Sequence, residues 1–324
     1  MRNTLCKVVL IVWCVLFLRC ETTEKSMVRA AFLEQADDQH WTVGLLYQWP
    51  EAAADASEAD AELQFASASA ETLEAAFSSA EKALPQTANY RLCDYLLFPR
   101  ELPWSALTDY EQLLLQRTCG RTAARLSCTE FTVLNFAETC EKEELLPDKL
   151  MEKLGTQKFC MPHLYEQEES LLLPLLALDE ADGLICPETS LFRNQEGKEI
   201  FLDANQTEAV RLLTGLPGMR AFWLEGQQVK IRRCVVSITL QNDQVYLRLD
   251  CQNAYGMPLP DAAQCAALEA LCVQTTEEFW AQGVDLLCLE QRSALQLRTK
   301  TLAPTKNACP QLQADVRFLE QSFD

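Results

Sequence analysis

Histidine and glycine are scarce in this chain, at 2 and 10 of 324 residues. With so few glycines there is little backbone freedom for a loop that cradles phosphate, and neither a G-x-G-x-x-G turn nor a G-x-x-x-x-G-K loop occurs. A G-x-S-x-G elbow and an H-E-x-x-H helix are missing too. His40 and His163 lie far apart in sequence. A Ser–His or Cys–His site would have to assemble from distant positions, so each is read as a surface or structural residue. No C-x-x-C spacing exists, which removes zinc-ribbon and thioredoxin-type chemistry. Cations are also few: 28 Lys and Arg against 47 Asp and Glu leave a formal charge of −19. Phosphate backbones and anionic headgroups repel such a chain, so nucleic acid is excluded as a partner. Acid pairs such as Asp37 and Asp38, or Glu143 and Glu144, read as solvated faces of an acidic protein. No catalytic residue, metal site or cofactor is expected.

What is present begins at the N-terminus. Arg2 and Lys7 precede an apolar run, Val8 to Leu18, which is closed by Arg19 and Cys20. A short basic segment, an apolar stretch and an abrupt polar sequence form the layout of an export signal. As a helix the run would reach only ~16 Å, against ~30 Å for a bilayer core, so it does not span. Cleavage before Cys20 would leave a thiol able to take a lipid, and the protein would be anchored rather than spanning. Arg19 occupies the place where lipoprotein processing sites carry a small residue. Removing residues 1–19 with Arg2, Lys7 and Arg19 takes the charge from −19 to −22.

Of 15 cysteines, 12 fall between Cys93 and Cys309. Cys234, Cys265, Cys272 and Cys288 sit in apolar patterns, which favours buried thiols. An exported chain could instead pair them, and the sequence leaves both open.

The rest reads as α+β layers of two to three small domains, each a mixed or antiparallel sheet flanked by helices. The expected division is a signal at 1–19, one domain at 20–178 with a possible split near 120–170, and a second at 179–324. Alternating runs Met27–Leu33 and Trp41–Trp49 predict a hairpin. Pro50–Glu62 is alanine and acid, suited to an exposed loop. LQFASASA predicts a strand, and Leu73, Ala76, Phe77, Ala80 and Leu84 the buried stripe of a helix. Tyr90–Phe98 is β-rich, Ser105–Arg117 and Leu146–Leu154 are helical, and ARLSCTEFTVL between them is a strand candidate. Leu171–Leu178, broken by Pro174, reads as a domain connector. Beyond it come a hairpin (Leu184–Phe192, Lys198–Leu202), a helix (Asn205–Thr214) and three β-runs at 220–225, 229–240 and 244–251. A long helix opened by Pro260 and Asp261 ends at Gly283, and 314–320 forms a closing strand. Asn205-Gln206-Thr207 has the form of a glycosylation sequon but falls where a helix cap belongs.

Three places carry a family resemblance: Cys20 with its acidic and basic sequel, SASAETLEAAFSSAEKAL, and Glu188–Gly215, ETSLFRNQEGKEIFLDANQTEAVRLLTG. FWAQGVDLLCLEQ adds Gln282, Asp285, Leu286 and Leu287. In these the chain resembles the C subunits of the nutrient germination receptors of bacterial spores, the GerAC-like lipoproteins. It departs from them in Arg19, in Glu21-Thr22-Thr23 after the cysteine, and in a short C-terminal region. The resemblance implies three small mixed sheets flanked by helices and a lipid such as palmitate on Cys20. It implies a place on the outer face of the spore's inner membrane and partnership with membrane-embedded receptor subunits in germination, without catalysis. The alternative is an exported solute- or peptide-binding lipoprotein. A receptor subunit should show an exposed apolar patch and no cleft, and a binding protein a deep cleft with convergent polar groups. A cell-wall hydrolase would need two carboxylates set apart in a groove, and no acid stands out for that role.

Overall fold

The structure is a computed structural model that describes residues 25–36, 40–48, 63–116, 123–164, 170–179, 183–185, 189–241, 244–297 and 302–319. Cys20, the signal segment and Pro50–Glu62 lie outside the described residues. Among those described, seven helices pack on two sheets, and the α+β layering expected from the sequence is present. No described helix is long and apolar enough to cross a membrane.

The larger sheet has strands β1 (Lys25–Ala36), β2 (His40–Gln48), β3 (Leu63–Ala70), β4 (Thr87–Asn89), β5 (Tyr95–Pro99), β6 (Arg125–Thr129), β7 (Ser170–Asp179), β8 (Gly183–Ile185), β9 (Ser190–Asn194) and β10 (Glu199–Leu202). Their main order is β10-β9-β7-β6-β5-β1-β2-β3, with β4 beside β1 and β8 beside β7. The predicted hairpin is β1–β2, antiparallel, with Leu33 opposite Val43 and Ala31 opposite Leu45. Period-two alternation sends these four residues to one face and Ala30, Phe32 and Leu46 to the other.

Helices α1 (Leu73–Lys82) and α2 (Trp104–Gln116) cover the first face, while α3 (Val133–Lys142) and α4 (Leu146–Gln157) cover the second. The α1 stripe is as predicted, with Leu73, Ala76, Phe77 and Ala80 buried and Thr72 capping the Ala75 amide at 3.2 Å. The parallel steps β5 to β6 and β6 to β7 run the same way across the sheet. Since α2 lies on one face and α3–α4 on the other, the two crossovers have opposite hands. One of them departs from the right-handed rule.

Three expectations are corrected. Leu171–Leu178 is not a connector but most of β7, whose leucines enter all three apolar cores. Pro174 is tolerated because the ladder to β9 ends at it and the ladder to β6 starts at Leu175. In the run taken as one strand, only Arg125–Thr129 is β; Thr132 then caps α3 by accepting from the Asn135 amide at 3.1 Å. Likewise β5 starts at Tyr95, because Tyr90 turns back to donate its hydroxyl to Glu81 Oε1 at 2.7 Å.

The smaller sheet is β11 (Arg220–Leu224), β12 (Gln227–Gln241), β13 (Gln244–Asn253) and β14 (Gln311–Phe318), in that order. It packs against α5 (Ala204–Leu213), α6 (Ala262–Ala281) and α7 (Leu289–Leu297) around a core that includes Phe222, Leu247, Leu268 and Phe279. Asp261 and Gln264 exchange capping-box bonds at the head of α6, and Gly283, with φ +78°, follows its end. Helix α7 was not foreseen from the sequence. Its first amides donate to a single carboxylate, Leu289 N to Asp285 Oδ1 at 2.8 Å and Glu290 N to Asp285 Oδ2 at 2.7 Å. Thus Asp285 starts a helix, and its neighbours Leu286 and Leu287 are buried beneath it.

Candidate docking cleft

Hairpin β9–β10 and helix α5, the segment with the family resemblance, stand where the two sheets' cores meet. Phe192 of β9 packs edge-on against Phe279 of α6, with ring centres 4.8 Å apart. Below it, Arg100 Nε donates to Glu199 Oε2 at 2.6 Å, Arg193 Nη1 donates to the Arg100 carbonyl at 3.1 Å, and Arg193 Nε lies 3.7 Å from Glu199 Oε1. These contacts hold the hairpin against the loop after β5. Arg100 also lies over the exposed Phe201 ring at 4.7 Å.

The start of α5 is built from local sequence. Asp203 is its cap, accepting from Gln206 N at 2.8 Å while Asp203 N donates to Gln206 Oε1 at 3.1 Å. The cap was expected in the Asn205 region; Asn205 instead exchanges bonds with the Trp223 backbone, at 3.0 Å to its carbonyl and 2.9 Å from its amide. This fastens α5 to β11.

Two cavities adjoin this segment. One, of about 520 Å³, is lined by Gln157 and Cys160 at the end of α4, by Pro174, by Thr207 and Glu208 of α5 and by Trp223. The second, of about 510 Å³, lies between Arg125, Met161 and His163 on one side and Phe192, Val210, Arg211 and Leu216 on the other. Cys160, exposed, belongs to both walls.

Buried charge shapes the wall between them. Arg211 donates to Glu208 Oε1 at 2.7 Å and to the Pro217 carbonyl at 3.2 Å. Arg220 donates to the Gly218 carbonyl at 3.0 Å and to the Leu216 carbonyl. Burial pushes the Glu208 carboxyl above its ordinary value, and the neighbouring guanidinium groups only partly offset this. Burial, with Arg211 beside it, draws the Arg220 pKa down. Glu208 Oε2, Thr207 Oγ1 and Gln157 Oε1 are buried with no hydrogen-bond partner among the described residues, and all three residues line the first cavity. Apolar groups stand at the mouths: Trp223 is 63% exposed, Leu216 39%, and Met219 of the same loop 57%.

Exposed apolar side chains are what the subunit reading expects, whereas the hollows behind them, one with polar atoms converging on it, are what the solute-binding alternative expects. His40 is exposed at the start of β2, and His163 pairs its Nδ1 with the Ala123 carbonyl at 2.9 Å. Glu208, Arg211, Arg220 and Cys160 escaped sequence reasoning. The one local signal was Arg211 itself, a charge set within the apolar run AVRLL.

No family model matches the chain, and no curated protein matches it. Among solved structures it is similar to the crystal structure of the GerBC protein, with 12% identity, a TM-score of 0.46, and coverage of 88% of this chain and 95% of that one.

Proposed function

We propose that this chain is a non-catalytic, exported accessory subunit of a spore nutrient germinant receptor, held at the outer face of the inner membrane by a lipid on Cys20. The exposed apolar side chains Trp223, Leu216 and Met219 dock onto membrane-embedded partner subunits. The observation that carries the reading is that Glu188–Gly215, the longest stretch of the family resemblance, supplies β9 and α5, whose residues line both cavities, one bordered by the exposed Trp223 and the other by Leu216. Exposed apolar side chains around a hollow suit insertion of a partner's apolar anchor. The lipid would confine the chain to the membrane surface, where even modest contacts suffice for assembly.

Deleting the protein should block nutrient-triggered germination and spare chelate-triggered germination; a normal nutrient response would sink the reading. Cys20→Ala should move the protein out of the membrane fraction, whereas unchanged fractionation would dismiss the acyl anchor.

The cavities themselves favour a second reading, an exported solute- or peptide-binding protein. Each has the volume of a small-ligand site, and three unpartnered polar atoms border one of them. That reading requires thermal stabilisation by a solute, which the docking reading does not.

A further inference from the structure

Cys234 and Cys251 are direct cross-strand partners in β12 and β13, and their Sγ atoms are 3.4 Å apart. The ladder geometry at this pair favours closure. The Cys251 carbonyl accepts from Leu319 N on the β14 side, so its backbone polar groups point away from β12. Cys234 and Cys251 are therefore a non-hydrogen-bonded pair, the kind whose Cα atoms approach to about 4.5 Å with side chains closest. That separation falls within the range a disulfide accepts, about 4.4–6.8 Å between Cα atoms.

We propose that Cys234 and Cys251 form an intrachain disulfide, a covalent staple across the central pair of strands in the smaller sheet. The geometry needs only a low-molecular-weight disulfide as oxidant, so the inference stands apart from the proposed function. Cys251 is fully buried and Cys234 half-buried, which makes Cys234 the point of entry. The Cys251 thiol donates toward Cys234 and lowers its pKa against the opposing effect of burial, with Arg220 helping, and Cys234, the more exposed of the two, attacks as the thiolate. Its sulfur bonds to one sulfur of the oxidant, whose S–S bond breaks and releases one thiolate. The Cys251 thiol then gives up its proton and attacks Cys234 Sγ, releasing the second thiolate. Two protein thiols are oxidised and one small disulfide is reduced to two thiols.

Cys272 on α6 is fully buried close enough to raise the Cys251 pKa, yet no set of three or more potential metal ligands occurs among the described residues. The chemistry there belongs to a pair.

The full chain, folded and reduced, is incubated with oxidised glutathione and then mapped by mass spectrometry without reduction. The expected result at this pair is the loss of two hydrogens, with the peptides containing Cys234 and Cys251 joined to each other, whatever adducts form on the exposed Cys160 and Cys288. Cys234→Ser and Cys251→Ser should each abolish the joined peptide, and Cys272→Ser should leave it. A persistent glutathione adduct on Cys234, two unchanged thiols, or linkage to Cys272 would each overturn the proposal. The wild-type map decides this even where a variant fails to fold.

Discussion

The ring of Phe65 on β3 lies across Gly44 on β2: a Cβ built on Gly44 would come to 2.9 Å from Phe65 Cε2 and closer still to its Cζ. That ring packs edge-on against Phe32 and Phe136, with centres 5.2 and 4.9 Å away, so moving it out of the way would disturb both contacts. Here glycine serves close approach rather than an unusual turn, and the aromatic covers the gap it leaves.

Gly44→Ala should therefore destabilise the protein by about 1–3 kcal/mol through overpacking. Urea unfolding measures this. In a double-mutant cycle, adding Phe65→Ala should cost less than the sum of the two changes, because removing the ring removes the clash.

The two aspartate caps make a second prediction. Asp203→Ala and Asp261→Ala should each cost about 1 kcal/mol, since each removes the acceptor for an N3 amide and half of a capping box. Thermal unfolding of both variants checks this. Asn substitutions, which keep an acceptor oxygen, should recover most of the loss.

A third concerns pH. Burial raises the Glu208 pKa, so the folded chain keeps that proton to a higher pH than the unfolded chain. The group's contribution to stability is full below its ordinary value of 4.5 and falls as pH rises through the raised native value. Glu208→Gln, which cannot lose a proton, should gain on the wild type as pH rises above the ordinary value of 4.5 in denaturation experiments. A gap that does not change with pH would refute the assignment.

Thiol reactivity is the fourth. Burial pushes Cys128 and Cys272 up to about 12, while Cys160 and Cys288 are exposed. Brief alkylation of the native protein should label Cys160 and Cys288 and spare Cys128 and Cys272 until denaturant is added. A bulky label on Cys160, which borders both cavities, should also block the proposed docking.

Much of the architecture was legible where one face of an element is buried. Leu73, Ala76, Phe77 and Ala80 announce α1, and Asp261 with Gln264 announces the start of α6, because stripe and cap both lie in local sequence. Strand β7 was opaque for the opposite reason: Leu171 and Leu173 enter one core, Leu172 another and Leu176 a third, so no alternation survives. Helix α3 hid behind its opening Thr-Val, which continues a β-like run, and α7 behind an acceptor set four residues before its first turn. The cleft was illegible because Cys160, Glu208 and Trp223 meet only through the packing of α4, α5 and β11.

The partner change within β7 also bears on how the chain survives its own synthesis. As residues 171–178 appear, β9 has not yet been made, and SLLLPLLALD is an apolar strand with one side open. Such a segment recruits copies of itself into intermolecular sheets. Pro174, with no N–H to offer and standing at the change of ladder, interrupts that row of donors at its centre. A residue that reads in sequence as a break between domains thus acts as a gatekeeper against aggregation, in the interval before Ser190–Asn194 arrives to close the edge.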